Sequence, residues 1–410
     1  MKKRILSILL CCVMLVGLLP TAALAAGPDV WDGSTKAPSG SGSESAPYLI
    51  STGEELAWLA TLAAEGSYYV KLTNDIILND GTFDQSGNFT KTGETAASTP
   101  HAWTPAKKAV WHIDGGNHYI SGMYINSNDN DNVGLFSYLY GNAVQRSCVK
   151  DLTIKNSYVR LTRDNPQYGY GKAGIFAGMS YRTDFINCVG ENNILSTTCY
   201  ATAGIVGESD NCSFNGVHTS GSVNGSQILG GLAGRDRDST FKNCWNETNI
   251  DNVNRSIHQC GGIAGMASNS NFYNCANLGY LHGGSRVGGI VGEAKVVTIK
   301  NCYGLSDIEN YASEWNYDWE TETGRNVYNI GTLAGTGASV SLSYAEDGFE
   351  RNDNGETGVV PHFTGKGKLT ESGTDDGDCT TAVICECGYT ITAANAEHSY
   401  EWQSVNGQYW

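Results

Sequence analysis

One segment near residue 315 combines aromatic and acidic side chains at a spacing suited to binding a ligand. Trp315, Tyr317 and Trp319 occupy alternate positions, so in a strand they would share one face. Three carboxylates flank these aromatics, namely Glu314, Asp318 and Glu320. Aromatic faces beside carboxylates can stack on sugar rings and accept hydrogen bonds from sugar hydroxyls. The segment therefore predicts either a contact site for a glycan or a flap that covers the end of the fold with aromatic rings.

A second segment, residues 126–132, is rich in oxygen-bearing side chains. Asp129 and Asp131 alternate with asparagines, and calcium takes six to eight oxygen ligands of this kind. The bidentate glutamate that completes an EF-hand loop is missing, which favours a solvated turn. We therefore expect no cofactor, with calcium at these two aspartates as the alternative.

A set of cysteines recurs thirteen or fourteen residues after a glycine-rich motif. The set comprises Cys148, Cys188, Cys244, Cys275 and Cys302. In one further copy Val217 takes the place of cysteine, which indicates that this position points inward. Parallel side chains on stacked strands suit neither a disulfide nor a tetrahedral metal site. We interpret the set as a buried ladder of thiols, and leave open whether Cys199, Cys212 and Cys260 form disulfides.

A Gly-apolar-apolar-Gly motif repeats along the chain and decides the fold class. Its five clearest copies follow one another at intervals of 27 to 31 residues, and they begin at Gly174, Gly204, Gly231, Gly262 and Gly289. This period is too short for two helices with loops, but it fits one coil of a parallel β-helix. Stacked coils lie about 4.8 Å apart, so equivalent residues would lie above one another. An asparagine before most ladder cysteines should form a corner in left-handed backbone conformation and bond the next coil.

A short helix is predicted to cap the start of this solenoid. Residues 48–50 read as a first strand, and Ser51 with Glu54, or Thr52 with Glu55, has the spacing of a capping box. Apolar residues at helical spacing continue to about residue 64, and residues 69–72 return to strand. A solenoid must cover its first open coil, so we expect the helix to be the N-terminal cap.

Composition and local signals predict five regions. Residues 1–25 have the basic start, short apolar run and small-residue cleavage site of a signal peptide, and no later stretch is apolar enough to cross a membrane. Residues 26–43 are predicted as a linker, 44–346 as the β-helix and 347–378 as a second linker. Residues 379–410 form a small cysteine-containing module, expected to be incomplete, whose cysteine spacing favours disulfides over zinc.

The repeated motif resembles the GLUG repeat of bacterial surface and secreted proteins. The segments at residues 47–56 and 113–122 are similar to the start of right-handed β-helix domains in Firmicutes surface proteins. The resemblance covers about residues 44–346 and implies an all-β, right-handed parallel β-helix. It implies a secreted or cell-surface location but no particular activity, since one fold hosts many functions.

Three functions are compatible with this sequence. The repeat region lacks the Asp-Asp and Gly-His-Gly signatures of polygalacturonase-like enzymes, and His258 and His282 are isolated in the sequence. We therefore predict a non-catalytic, adhesin-like solenoid that binds glycan or protein, expected as a monomer. A polysaccharide lyase or glycoside hydrolase on this scaffold, or a structural stalk, are the alternatives. The net charge of −16 argues against nucleic acid as a partner, because such binding depends on basic contacts to phosphate.

Overall fold

The chain folds as a parallel β-solenoid whose central coils each pass through four sheets. The computed structural model describes residues 29–128, 132–162, 171–252, 259–283, 286–300 and 302–304, and the backbone of further strands as far as residue 409. The predicted signal peptide, 1–25, lies outside the described residues. In the described part of the chain, no helix is long and apolar enough to cross a membrane. The all-β solenoid expected from the repeats is confirmed.

Two of the sheets run the length of the solenoid. Sheet 1 joins ten parallel strands of the described chain, which are Tyr48–Ile50, Ser67–Leu72, Val110–Asp114, Ser147–Lys150, Thr183–Ile186, Ser213–Asn215, Thr240–Lys242, Asn271–Tyr273, Val297–Lys300 and Ala338–Ser341. Sheet 2 follows sheet 1 in each coil and comprises Ile76–Ile77, Tyr119–Ser121, Tyr124–Ser127, Thr153–Lys155, Tyr158–Leu161, Val189–Thr197, His218–Gly225, Trp245–Asn252, Ala276–Asn277, Leu281–His282, Tyr303–Gly304, Ile308–Glu309 and Tyr344–Ala345.

The other two sheets meet at the repeated glycine motif. Sheet 3 comprises Asn132–Val133, Lys172–Gly174, Ala201–Ala203, Ile228–Gly230, Gln259–Gly261, Arg286–Gly288 and Asn329–Gly331. Sheet 4 comprises Phe136–Tyr140, Ala177–Tyr181, Val206–Asp210, Ala233–Arg237, Ala264–Ser268 and Val291–Lys295. The motif forms the bend between them, where a side chain on Gly231 would lie 2.1 Å from the carbonyl oxygen of Gly262 in the next coil. Glycine is needed there because the coils approach too closely for a Cβ.

Equivalent residues stack in the interior, as the period predicts. The rings of Phe185, Phe214, Phe241 and Phe272 follow one another at centroid distances of 4.8, 4.4 and 4.7 Å, with interplanar angles of 6° or less. All four side chains are fully buried. This spacing matches the distance between adjacent β-strands, so each ring packs on the same residue type one coil away.

The corner between sheets 1 and 2 carries the predicted asparagines. Asn187, Asn243 and Asn274 have φ values of 51°, 54° and 54°, a conformation that asparagine tolerates better than most residues. The Asn274 amide donates to Asn243 Oδ1 at 2.6 Å, and Asn243 in turn donates to Asn215 Oδ1 at 3.3 Å. The expectation that these side chains bond the neighbouring coil is therefore confirmed.

The N-terminal helix is shorter than its apolar pattern suggests. It spans Gly53–Trp58 and tightens into a 3₁₀ turn at Leu59–Thr61. Thr52 caps it by accepting a hydrogen bond from the Glu55 amide at 3.4 Å, and Glu55 accepts one from the Ser51 amide at 2.9 Å. Thr61 ends the turn, because its hydroxyl bonds back to the Trp58 carbonyl at 2.7 Å.

Two segments differ from the predicted organisation. From residue 29 onward the segment expected to be a linker packs on the first coils, where Trp31 is buried and contacts the Trp103 ring at 5.9 Å. An antiparallel insertion was also not predicted, and it comprises Gly81–Phe83, Phe89–Lys91 and Ala97–Ser98. Its Phe83 ring stacks on Tyr124 of sheet 2 at 5.5 Å. Both segments are held by tertiary contacts that local sequence signals do not report.

Beyond the solenoid, the structure describes only short hairpins. Val383–Ile384 pairs antiparallel with Thr390–Thr392, and Ser404–Val405 pairs with Gln408–Tyr409. The predicted linker at 347–378 and the cysteines of the C-terminal module lie outside the described residues.

Candidate functional site

The aromatic segment near residue 315 forms a strand in a hairpin. Glu314–Asp318 pairs antiparallel with Thr323–Val327, which places Trp315 opposite Asn326 and Tyr317 opposite Gly324. Trp319 and Glu320 lie outside the described residues. The backbone is therefore extended at the first part of the segment, and a ligand site there stays a prediction.

The calcium alternative rests on residues that the structure does not describe. Asp129 and Asp131 both lie outside the described residues, so this alternative stays a prediction. Elsewhere in the described chain, no group of three or more histidine, cysteine or acidic side chains is arranged to hold a metal ion.

Four of the ladder cysteines form one buried column at the corner between sheets 1 and 2. Cys188, Cys244, Cys275 and Cys302 are each 1% exposed or less. The Cys244 thiol contacts the Phe214 carbonyl of the preceding coil at 3.5 Å and the Lys242 carbonyl of its own coil at 3.2 Å. Burial raises the pKa of the Cys244 thiol well above its ordinary value. The four thiols therefore fill the core, and its raised pKa makes Cys244 a poor nucleophile.

Cys148 does not belong to this column. It pairs in sheet 1 with His112 and Asp184 and is partly exposed, whereas Leu152 takes the place in the column before Cys188. The distance from the glycine motif was misleading because the bend between sheets 4 and 1 differs in length between the two coils. Residues 141–146 form this bend before Cys148, whereas Arg182 alone forms it in the next coil. All eight cysteines described are free thiols, so Cys199, Cys212 and Cys260 form no disulfide.

His282, which has no acidic neighbour nearby in the sequence, has one in the structure. It stands in register with Asp251 of the preceding coil, and their side chains are 3.0 Å apart. The parallel register brings together residues that are 31 apart in the sequence, which is why sequence inspection missed the pair. His258 lies outside the described residues.

A group of aromatic and charged side chains lies on sheet 4, and sequence analysis did not single it out. We call it the sheet-4 face, and define it by Tyr138, Tyr140, Met179, Tyr181, Glu208, Asp210, Arg235 and Arg237. These residues form two columns, because Tyr138, Met179, Glu208 and Arg235 are in register, as are Tyr140, Tyr181, Asp210 and Arg237. The face thus changes from aromatic to charged across four successive coils.

The tyrosines form a contiguous platform. The Tyr140 and Tyr181 rings are nearly parallel, with centroids 5.6 Å apart, and Tyr138 meets Tyr140 edge-on at 5.5 Å. The Lys108 ammonium lies 4.3 Å from the centroid of the Tyr140 ring, a cation–π contact. Burial, together with the neighbouring Tyr140, raises the pKa of Tyr138 to about 12. Its hydroxyl therefore stays protonated at neutral pH and can donate a hydrogen bond.

Ion pairs between adjacent coils fix the charged half of the face. Arg235 contacts Glu208 at 3.3 Å, and Lys172 approaches the other oxygen of Glu208 at 3.6 Å. Arg237 forms a close ion pair with Asp210. Glu208 is only 6% exposed, so its carboxylate is held in place by its two cationic partners.

A separate cleft of about 290 Å³ opens on the outer face of sheet 1 beside the N-terminal cap. The Tyr69 ring stacks on His112 at 4.1 Å within it, and Lys150 pairs with Asp114 at 3.1 Å. Burial lowers the pKa of His112 and raises that of the adjacent Cys148. A neutral thiol beside a neutral imidazole lacks the thiolate that nucleophilic catalysis requires.

Comparisons with known proteins leave the family open. No family model matches the chain, and no curated protein matches it. A solved structure from Bacteroides ovatus, described as a "putative immunoglobulin A1 protease", is 19% identical over 80% of this chain and 84% of its own, with a TM-score of 0.45.

Proposed function

We propose that this chain is a secreted or cell-surface solenoid that binds a glycan chain along its sheet-4 face without cleaving it. The observation that carries the proposal is the platform of Tyr138, Tyr140 and Tyr181 beside fixed carboxylate and guanidinium groups. The partly exposed tyrosine rings offer apolar edges and hydroxyls for contact with sugars, and the charged groups supply hydrogen bonds to sugar hydroxyls.

The architecture supports an extended ligand. The two columns of the face run along the solenoid axis, with one residue of each column per coil. Stacked coils form a rigid surface, so its binding groups are preorganised and little conformational entropy is lost on binding. A chain of repeating sugars matches a surface whose groups recur at about 4.8 Å.

The absence of cleavage is also part of the proposal. The described thiols with a raised pKa lack activation, and the carboxylates of the face, Glu208 and Asp210, are each engaged by a basic side chain. A glycosidase needs one carboxylic acid that stays protonated to protonate the leaving group. Glu208 and Asp210 are instead held by basic side chains as hydrogen-bond acceptors, which suits binding of sugar hydroxyls.

Replacing both Tyr140 and Tyr181 with alanine is expected to weaken glycan binding by about 5- to 150-fold, since each aromatic contact contributes roughly 0.5–1.5 kcal/mol. A glycan array probed with the whole chain lacking only residues 1–25 provides the measurement. Tyr273→Ala is the matched control, because Tyr273 is also partly exposed but lies on sheet 1.

The hairpin at residue 315 is tested in the same array. Binding that is lost in Trp315→Ala but kept in the Tyr140/Tyr181 variant would move the site from the sheet-4 face to that hairpin. Binding to no glycan, with every protein folded by circular dichroism, would leave glycan recognition unsupported.

A further inference from the structure

The charges of the sheet-4 face indicate which class of glycan it takes. Five basic side chains along the face and its borders contact a carboxylate, whereas among the described residues Lys295, at the end of sheet 4, and Arg182, next to Tyr181, form no such ion pair. The pairs are Arg235–Glu208, Arg237–Asp210, Lys172–Glu208, Lys108–Glu65 and Arg286–Glu293. A guanidinium that already binds a carboxylate has less to gain from a second anion, because the first partner offsets its charge.

We propose that the ligand of this face is an uncharged polysaccharide, an inference that rests on the proposed function. Each ion pair presents donor N–H groups and acceptor oxygens side by side, which matches the neighbouring hydroxyls of a neutral sugar. The tyrosine platform adds contacts through its ring edges and hydroxyls, which need no ligand charge. The lysine over Tyr140 is 3.1 Å from Glu65, so it too is already paired.

The net charge of the whole chain also favours a neutral ligand over an acidic one. A net charge of −16 creates a negative potential around the protein, which disfavours the approach of acidic glycans. A neutral glycan is unaffected by this potential. Salt screens exposed charges over about 10 Å at 0.1 M, so the affinity for a neutral glycan should be nearly independent of ionic strength.

Affinity electrophoresis of the chain without residues 1–25 tests this inference. Gels contain either neutral polysaccharides (dextran, xylan or mannan) or acidic ones (polygalacturonate, hyaluronate or heparin), and positive hits are titrated at 50 and 500 mM NaCl. We expect binding to at least one neutral polysaccharide, with less than a twofold change in affinity between the two salt concentrations.

Two variants distinguish a neutral ligand from an acidic one. Asp210→Asn and Arg237→Gln should each weaken binding of a neutral polysaccharide, by up to about tenfold, because each disrupts a preorganised donor–acceptor pair. For an acidic ligand the effects would have opposite signs, since Asp210→Asn would release the guanidinium and strengthen binding. Tyr273→Ala again serves as the control that leaves the face intact.

The outcomes distinguish this inference from the proposed function. Binding only to acidic polysaccharides, weakened by salt and strengthened in Asp210→Asn, would overturn the inference and leave glycan binding by this face standing. Binding to a neutral polysaccharide that Asp210→Asn does not weaken would also overturn it. Binding to none of the six polysaccharides would overturn both proposals together.

Discussion

We expect truncation of Phe241 to alanine to lower the free energy of unfolding by about 4 kcal/mol, because it opens a cavity in the middle of the stacked rings. Phe241 is fully buried and lies between Phe214 and Phe272 at centroid distances of 4.4 and 4.7 Å. The neighbouring coils are hydrogen-bonded above and below, so the backbone cannot easily close the gap. Urea unfolding followed by circular dichroism measures the change.

A matched variant makes this result specific. Phe241→Leu keeps most of the apolar volume but loses the ring stacking, and should cost less than half as much as Phe241→Ala. If Phe241→Ala lowered the free energy of unfolding by less than about 1.5 kcal/mol, the rings would not be packed as the structure shows.

The second large effect concerns a carboxyl group inside the solenoid. Asp236 is 1% exposed and accepts hydrogen bonds from the Ser209 hydroxyl at 2.5 Å and the Ser270 hydroxyl at 2.6 Å. Burial raises its pKa from 3.8 to about 6, although the two serines partly oppose the shift. The folded state therefore holds this proton more tightly than the unfolded state does.

This shift predicts a loss of stability as the pH rises. Well below pH 3.8 the carboxyl is protonated in both states and imposes no penalty. Between pH 4 and 6 the unfolded state releases the proton first, so the folded state becomes less stable, and above pH 6 the full penalty applies. The difference of about two pKa units corresponds to roughly 3 kcal/mol. Asp236→Asn should remove this pH dependence and unfold at a higher temperature than the wild type at pH 8.

Comparing the wild type with Asp236→Asn separates the effect of the Asp236 carboxyl from the effects of other titrating residues. Differential scanning calorimetry at pH 5 and pH 8 should show the advantage of Asp236→Asn growing with pH. An advantage that is the same at both pH values, or a variant less stable than the wild type at pH 8, would contradict the raised pKa. Ser239→Ala provides a control for the polar network, because it changes a neighbouring hydroxyl without removing the carboxyl.

The sequence predicted the repeated interior of the fold well. The phenylalanines, the corner asparagines and most ladder cysteines recur at intervals of 27 to 31 residues, and one coil per interval places them above one another. Cys148 was misassigned because residues 141–146 change the length of one bend, and a fixed distance from the motif then identifies the wrong position.

The candidate site was harder to predict, since its residues do not repeat in type. Tyr140, Tyr181, Asp210 and Arg237 occupy equivalent places in successive coils, but the outer surface imposes no common side chain on them. A signal was nevertheless available in the sequence. Tyr181, Asp210 and Arg237 are each the fifth residue of a segment that starts at the residue before the last glycine of the motif. Aligning the repeats and comparing only the outer positions would have brought the aromatic and charged columns together.

A crystal structure of the chain with the oligosaccharide fragment of its tightest-binding polysaccharide tests the central claim most directly. We expect a sugar chain packed against the exposed edges of the Tyr140 and Tyr181 rings, with hydroxyls hydrogen-bonded to Asp210 and Arg237, and the glycosidic bonds intact. An oligosaccharide bound only at the hairpin of Trp315, only in the cleft beside His112, or cleaved on the sheet-4 face would contradict it.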